Sequence, residues 1–330
     1  MKALTHTKPK GFEGLTLTKA HNKPEPGPDD VLIRIKTAGL NHRDLFVLDR
    51  HSPDDPPFVI GSDGAGVVDA TGENVTSVST GEEVIINPGL YWKEESGAPP
   101  DHFEVLGFPN NGTFAEYVTV PAAFTAPKPA HLTWEESAVL SLAGLTAYRA
   151  LFTRGKASKG MNVFIPGIGG GVATMLLQFA KAAGANAYVS SRSGEKRKAA
   201  EELGAVKAMD SQADWNEELG STKMDLVIES VGAATFNRSL DTLRKGGTIV
   251  SFGSSTGDEL NINLRKFFYG QYIFHGSTMG SNEEYRAMLD FVSTHQIKPV
   301  MDRTFPLEEY REAFDRLNRA EQLGKIAFIL

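Results

Sequence analysis

The chain has 330 residues, 41% of them hydrophobic, enough for two domains with a core each. No apolar run is long enough to cross a membrane, and the start, Met1 to His6, lacks the apolar centre of a signal peptide, so the expectation is a cytoplasmic protein with no membrane partner. A formal charge of −7 gives no basic footprint for nucleic acid, and the lack of any cysteine removes disulfides, thiol catalysis and thiolate metal sites.

The first third reads as β-rich. Segment 31–37 alternates with a period near two, as a half-buried strand does. A glycine-punctuated turn runs into a strand over 61–68, and 83–87 is another short strand. Strands at short spacing with Gly and Pro between them predict a small barrel. Segment 88–111 shows no period and reads as a long loop that is either functional or a remnant of something lost, with Tyr91 and Trp92 either lining a substrate mouth or packing the loop itself. A strand resumes over 112–118.

From about Thr133 the texture changes. Thr133-Trp134-Glu135-Glu136 is a capping-box pattern, and the apolar helix after it runs to Phe152. Strands and helices then alternate: strand 162–165, helix 172–183, strand 187–190, helix 194–203, strands 206–209 and 226–229, helix 233–243, strand 248–252. Gly184 and Gly204 stand where helix C-caps belong. Such alternation predicts a doubly wound parallel sheet, so the fold class is α/β, a β-rich domain joined to a Rossmann sheet. Two further helices, 282–295 and 307–318, and a strand at 325–329 close the chain.

The most informative run is Asn162 to Ala173, where an apolar strand enters Gly167-Ile168-Gly169-Gly170-Gly171-Val172 and leaves as a helix. That order sets free backbone N–H groups at a helix N-terminus, where a pyrophosphate can sit. Glycines there cost helix propensity, about 1 kcal/mol each against Ala, so their use is close approach. About nineteen residues past Ala173, an NAD enzyme carries an acid for the ribose hydroxyls. This chain has Ser190-Ser191-Arg192-Ser193, with Lys196 and Arg197 behind. Arg192 can fork onto a 2′-phosphate, so the cofactor expected is NADPH (NADP), while Lys196 and Arg197 read either as phosphate contacts or as a solvated helix face.

Ala38-Gly39-Leu40-Asn41-His42-Arg43-Asp44, Gly61-Ser62-Asp63-Gly64-Ala65-Gly66-Val67-Val68, the strand from Gly112 to Val118, Leu142-Ala143-Gly144-Leu145-Thr146-Ala147-Tyr148, the glycine loop and the terminal Gly324-Lys325-Ile326 occur in an order that resembles the medium-chain dehydrogenase/reductase superfamily, specifically its zinc-independent quinone-reductase-like members. The resemblance spans nearly the whole chain. It implies a GroES-like catalytic domain over 1–124, completed by 279–330, and a Rossmann domain over 125–278. It further implies a substrate cleft between the domains and a homodimer joined through edge strands.

Zinc alcohol dehydrogenases of that superfamily place a Cys where Asn41 stands, a His-Glu pair where Ser62-Asp63 stand and a second Cys at about Leu142. Their structural zinc lobe falls in 88–111, whose cysteines are absent here. No metal site is therefore expected, although a hard-ligand set of His42, Asp44 and Asp63 stays open. The resemblance implies that Asn41 polarises or orients at the nicotinamide, the alternative being a turn-forming Asn. His42 matches a position touching the pyrophosphate and is either a proton donor or structural. Arg43 either stabilises an anion or is a surface charge. Asp44 and Asp63 are expected to be structural. Thr146, Val231, Phe252, Gly253, Thr278 and Lys325 are expected cofactor contacts. Without a Lewis acid the substrate expected is one that already accepts hydride, a quinone or an α,β-unsaturated carbonyl. The alternatives are an alcohol or aldehyde oxidoreductase without zinc and an NADPH-binding protein without turnover.

Overall fold

Alternation at 31–37 becomes the strand Asp30–Leu40, whose apolar side chains Val31, Ile33 and Ile35 are buried. It pairs antiparallel with Asp63–Thr71, with Tyr117–Pro121 and with the terminal strand Lys325–Ile329. In a computed structural model, which describes residues 1–50 and 56–330, these strands belong to a seven-stranded sheet. A three-stranded sheet, Leu15–Thr18, Ala3–His6 and Phe58–Val59, completes the β-rich unit. Leu4, Ile33, Ile60, Phe114, Phe314 and Phe328 lie in its core. The long segment after Pro88 is partly ordered by a two-stranded ladder, Gly89–Leu90 with Glu104–Val105. Trp92 there is 1% exposed and packs on Phe103, so it is loop packing, while Tyr91 is partly exposed beside Phe124.

The second unit is a six-stranded, all-parallel sheet. Its order is Lys207–Asp210, Asn186–Ser191, Asn162–Ile165, Met224–Glu229, Leu243–Ser251, Ile273–Gly276. Numbered along the chain this is 3-2-1-4-5-6, the order of a dinucleotide-binding sheet. The chain reverses direction of travel at Asn162–Ile165, so its carboxyl end is the switch point where ligands sit. Phe164, Trp215, Val227, Phe236 and Ile249 pack the core beside it.

The two units are Met1–Leu145 with Gly280–Leu330, and Thr146–Met279. The first break falls later than the 124/125 division read from sequence. Thr125–Pro127 pairs with Glu83–Ile86, and the Leu142 N–H donates to Asp63, so this segment is held by the β-rich unit. The helix expected to run unbroken to Phe152 is three pieces: Trp134–Ala138, Ser141–Tyr148 and a π-helical turn, Arg149–Arg154. The break before Ser141 frees the Leu142 N–H for a tertiary acceptor, which local sequence does not reveal. Among the described residues no helix is long and apolar enough to cross a membrane.

Candidate functional site

In the parallel-sheet unit the buried strand Asn162–Ile165 delivers the chain to Gly167 and Gly169, at φ 79° and 148°, a region L side chains rarely adopt. A Cβ on Gly167 would stand 2.8 Å from Val231 Cγ2, and one on Gly169 would stand 3.0 Å from Lys196 Cδ and 3.2 Å from its Nζ. Lys196 therefore lies over the glycine bed. Gly170 is the N-cap of the helix Gly171–Ala182, offers no side-chain acceptor and faces open space. Gly171 and Val172 form the first turn, whose N–H groups have no partner within the helix. Met175, Leu176 and Phe179 anchor the helix in the core. A small-residue turn, uncapped N–H groups and a helix dipole with a lysine overhead fit a pyrophosphate.

Ser191 ends the neighbouring strand with its side chain buried, its Oγ accepting the Ser193 N–H at 3.2 Å. Arg192 follows and is exposed. Arg197 is half-buried: Nη1 donates to the Ser191 carbonyl and to the Asp210 carboxylate, each at 2.7 Å. Asp210 is an acid that the sequence does not single out, because it belongs to the next strand and is opposite Ser191 only through the parallel register. Val231, Phe252, Gly253 and Thr278 all follow carboxyl ends of strands in the same sheet. Thr146 is 6% exposed within Ser141–Tyr148. Glu229, also not singled out from sequence, shapes this edge. Fully buried, it accepts from the N–H groups of Val231 (2.8 Å) and Gly232 (3.2 Å) and from the hydroxyls of Thr235 (2.9 Å) and Ser239 (2.7 Å). Four donors satisfy this carboxylate, which has no paired cation among the described residues.

In the β-rich unit a second polar group forms around Asp63, which is fully buried. Register places Gly39 opposite Asp63 and Leu40 opposite Ile326, so Asn41, Asp63 and Lys325 meet from three distant stretches of chain. Gly39 is glycine because a Cβ would stand 2.6 Å from the Ala138 carbonyl oxygen. Asn41 Nδ2 donates to Asp63 at 2.9 Å, and the Leu142 N–H donates to its other oxygen at 2.8 Å. Lys325, 4% exposed, donates to the Leu40 carbonyl at 2.9 Å and to Asn41 Oδ1, and lies 3.6 Å from Asp63. Its ammonium is thus spent inside this unit, and both ends of the Asn41 amide are engaged. The Asn41 N–H donates to Asp44 at 2.8 Å as the helix His42–Val47 begins.

Burial raises the Asp63 carboxyl against the pull of Lys325 and Asn41, and lowers the Lys325 ammonium against the pull of Asp63 and Asp44. Burial also carries Asp44 up to about 6, opposed by Arg43 and by the Asn41 N–H. Arg43 Nη1 donates to Ser62 Oγ at 2.6 Å and to the Leu106 carbonyl at 3.0 Å, and the Ser62 hydroxyl donates to the same carbonyl at 2.8 Å. His42 is exposed, its ring edge-on to Phe46. The positions that the resemblance matched to metal ligands therefore do converge, but onto hydrogen bonds with an ammonium and a guanidinium. Lys325 is legible as a motif residue, whereas its partners are not, since only strand pairing creates them.

Residues 27–130 match the alcohol dehydrogenase GroES-like domain and residues 171–294 the zinc-binding dehydrogenase family. A zinc-type alcohol dehydrogenase-like protein, YogA, of Leptosphaeria maculans is 36% identical, the match covering 92% of this chain and 90% of that protein. A crotonyl-CoA reductase of Streptomyces collinus is 30% identical over 93% of this chain and 79% of its own length. The crystal structure of an NAD-dependent alcohol dehydrogenase superposes with a TM-score of 0.92 at 34% identity, covering 100% of both chains.

Proposed function

This chain belongs to the medium-chain dehydrogenase/reductase superfamily and is an oxidoreductase, and from that premise we propose that it is an NADPH-dependent, zinc-independent reductase of an α,β-unsaturated carbonyl or a quinone. The observation that carries the zinc-free reading is the state of the donor atoms at the matched ligand positions. Zinc needs three or four N, S or O lone pairs aimed at one point. The Asn41 oxygen faces the Lys325 ammonium, the Ser62 hydroxyl receives the Arg43 guanidinium, and Leu142 offers no side-chain donor. Among the described residues no three His, Asp or Glu side chains are grouped to hold a metal. This donor set does not fit zinc, and the proposed chemistry runs without it.

Bound on the glycine bed, the nicotinamide cofactor supplies a hydride. The chain's own residues handle position and charge. The Gly169–Val172 turn and Lys196 hold the diphosphate, and Arg192 with Ser191 receives the 2′-phosphate. The absence of an acid in 190–193 supports NADPH. Arg43 stabilises the oxyanion that develops as hydride passes from NADPH, which becomes NADP, to an enone or quinone, and water supplies the proton that completes the reduction. Asn41, clamped by Lys325 and Asp63, is a positioning residue for the segment that carries Arg43. A substrate that already accepts hydride needs no Lewis acid to stabilise an alkoxide. The relative named crotonyl-CoA reductase supports an α,β-unsaturated carbonyl. The relatives and the structure named as alcohol dehydrogenases favour a second reading, a zinc-free aldehyde or alcohol oxidoreductase. The proposal includes a homodimer: the edge strand Ile273–Gly276 leaves Ile273 and Phe274 exposed, and Leu264, Phe268 and Tyr269 are exposed on the helix before it.

The test is NADPH consumption across quinones, enones, aldehydes and, with NADP, alcohols, each with and without chelator. Enones or quinones should be reduced, and chelator should change the rate by less than ~2-fold if no metal takes part. Turnover confined to alcohols and aldehydes and abolished by chelator would end the reading, and tight NADPH binding without turnover on any acceptor would favour a binding protein.

A further inference from the structure

We infer that Arg197 determines cofactor choice indirectly, as a charge mask that neutralises Asp210 beside the seat of the ribose 2′-phosphate. The inference rests on the NADPH reading above. Ser191 and Asp210 are register partners at the carboxyl ends of adjacent parallel strands, and neighbouring strands run about 4.8 Å apart. A carboxylate at that level is close enough to repel a phosphate on Ser191 and Arg192 and to favour an unphosphorylated ribose instead. Arg197 removes that charge. One nitrogen, Nη1, joins the Asp210 carboxylate to the Ser191 carbonyl, both at 2.7 Å, so the guanidinium staples the two strand tips together while it neutralises the acid.

Three further bonds fix the arrangement. The Ser211 N–H donates to the Ser191 carbonyl at 3.2 Å, the Gln212 N–H to the other Asp210 oxygen at 2.9 Å, and Trp215 Nε1 to the Asp210 carbonyl at 3.0 Å. Asp210 therefore stays at the tip whether or not Arg197 is present. The three cations at the strand tip divide the work. Arg192 is exposed, Lys196 lies over Gly169, and Arg197 is committed to Asp210. Arg197 thus acts as a positioning residue, not a phosphate ligand.

The experiment is equilibrium titration of NADPH and NADH by nicotinamide fluorescence, at low ionic strength, on the intact protein and on R197M, D210N and R197M/D210N. Wild type should bind NADPH the more tightly. R197M should weaken NADPH by ~10-fold and NADH by under ~3-fold, because an unmasked carboxylate repels only the extra phosphate. Adding D210N should restore NADPH to within ~3-fold of wild type, and D210N alone, which leaves the Arg197 charge unpaired beside the seat, should tighten NADPH relative to NADH and never weaken it. R197Q, uncharged but still able to donate to the Ser191 carbonyl, carries the same expectations should R197M fail to fold by circular dichroism. A wild-type ratio near one sinks the NADPH reading. A wild-type preference that survives R197M and R197Q, or a loss that D210N does not repair, overturns the mask alone.

Discussion

Asp44 is 1% exposed, receives the Asn41 N–H and sits in the field of Arg43 and Lys325. Those attractions do not offset the cost of burying its charge, and the carboxyl titrates at about 6 in place of 3.8. A carboxyl raised by folding binds its proton more tightly in the native state. Its contribution to stability is then full below 3.8 and is lost as pH rises through about 6. Titration at about 6 and not at 3.8 corresponds to roughly 3 kcal/mol of stability lost across that window. Asp44→Asn stays neutral and keeps an oxygen for the Asn41 N–H. Urea unfolding should show the variant gaining about 1–3 kcal/mol on wild type between pH 4 and pH 7.5. A difference that does not change with pH would mean that the Asp44 carboxyl titrates alike in the folded and unfolded chain, the cost of its burial fully compensated. The same residue shows where a sequence reading stops. Its motif identifies Asp44 as structural, but the burial that moves its titration is supplied by chain segments far from it.

Among elements, the loop after Met224–Glu229 depends on one side chain. Glu229 holds two backbone N–H groups and two hydroxyls, and Val231 on that loop stands against Gly167 of the diphosphate turn. Glu229→Leu removes both accepting oxygens and leaves the buried Val231 and Gly232 N–H groups unmatched, at a cost of about 1–3 kcal/mol each. Lower thermal stability together with weaker NADPH binding is expected, measured by differential scanning calorimetry and fluorescence titration. Normal binding in a destabilised variant would leave Glu229 with a packing role alone. Element types in the parallel-sheet unit are legible because their apolar runs are long and their glycine stops are local; the helix Gly194–Leu203 coincides with its expected range. The strand Ile273–Gly276 and the helices Trp215–Leu219 and Leu264–Gly270 are not legible in the same way. Each is short, and the strand exists only because Leu243–Ser251 offers it a ladder.

For the whole molecule, the exposed edge of the parallel sheet is a liability unless it is covered. Ile273 and Phe274 are 46% and 43% exposed there, and a second copy adding its own edge strand would cover both. Ile273→Lys places a charge on that edge without touching the glycine bed. Sedimentation should find wild type as a dimer at micromolar concentration and the variant as a monomer whose NADPH affinity is within ~3-fold of wild type. A wild-type monomer, or a variant that remains dimeric, would remove the edge as the interface.

By itself the sequence determined the doubly wound sheet, the strand–glycine–helix bed for a diphosphate and the lack of an acid in 190–193, because each is written in consecutive residues and set by local backbone chemistry. It also marked Asn41, Ser62, Asp63, Leu142 and Lys325 as points of resemblance. Only the tertiary structure decided that Asn41, Asp63, Leu142 and Lys325 meet while Ser62 pairs with Arg43, and that Asp210 stands beside Ser191 under the cover of Arg197. The reason is physical: a hydrogen bond or ion pair between distant segments depends on strand register, and register is a property of the assembled sheet that no stretch of chain carries alone.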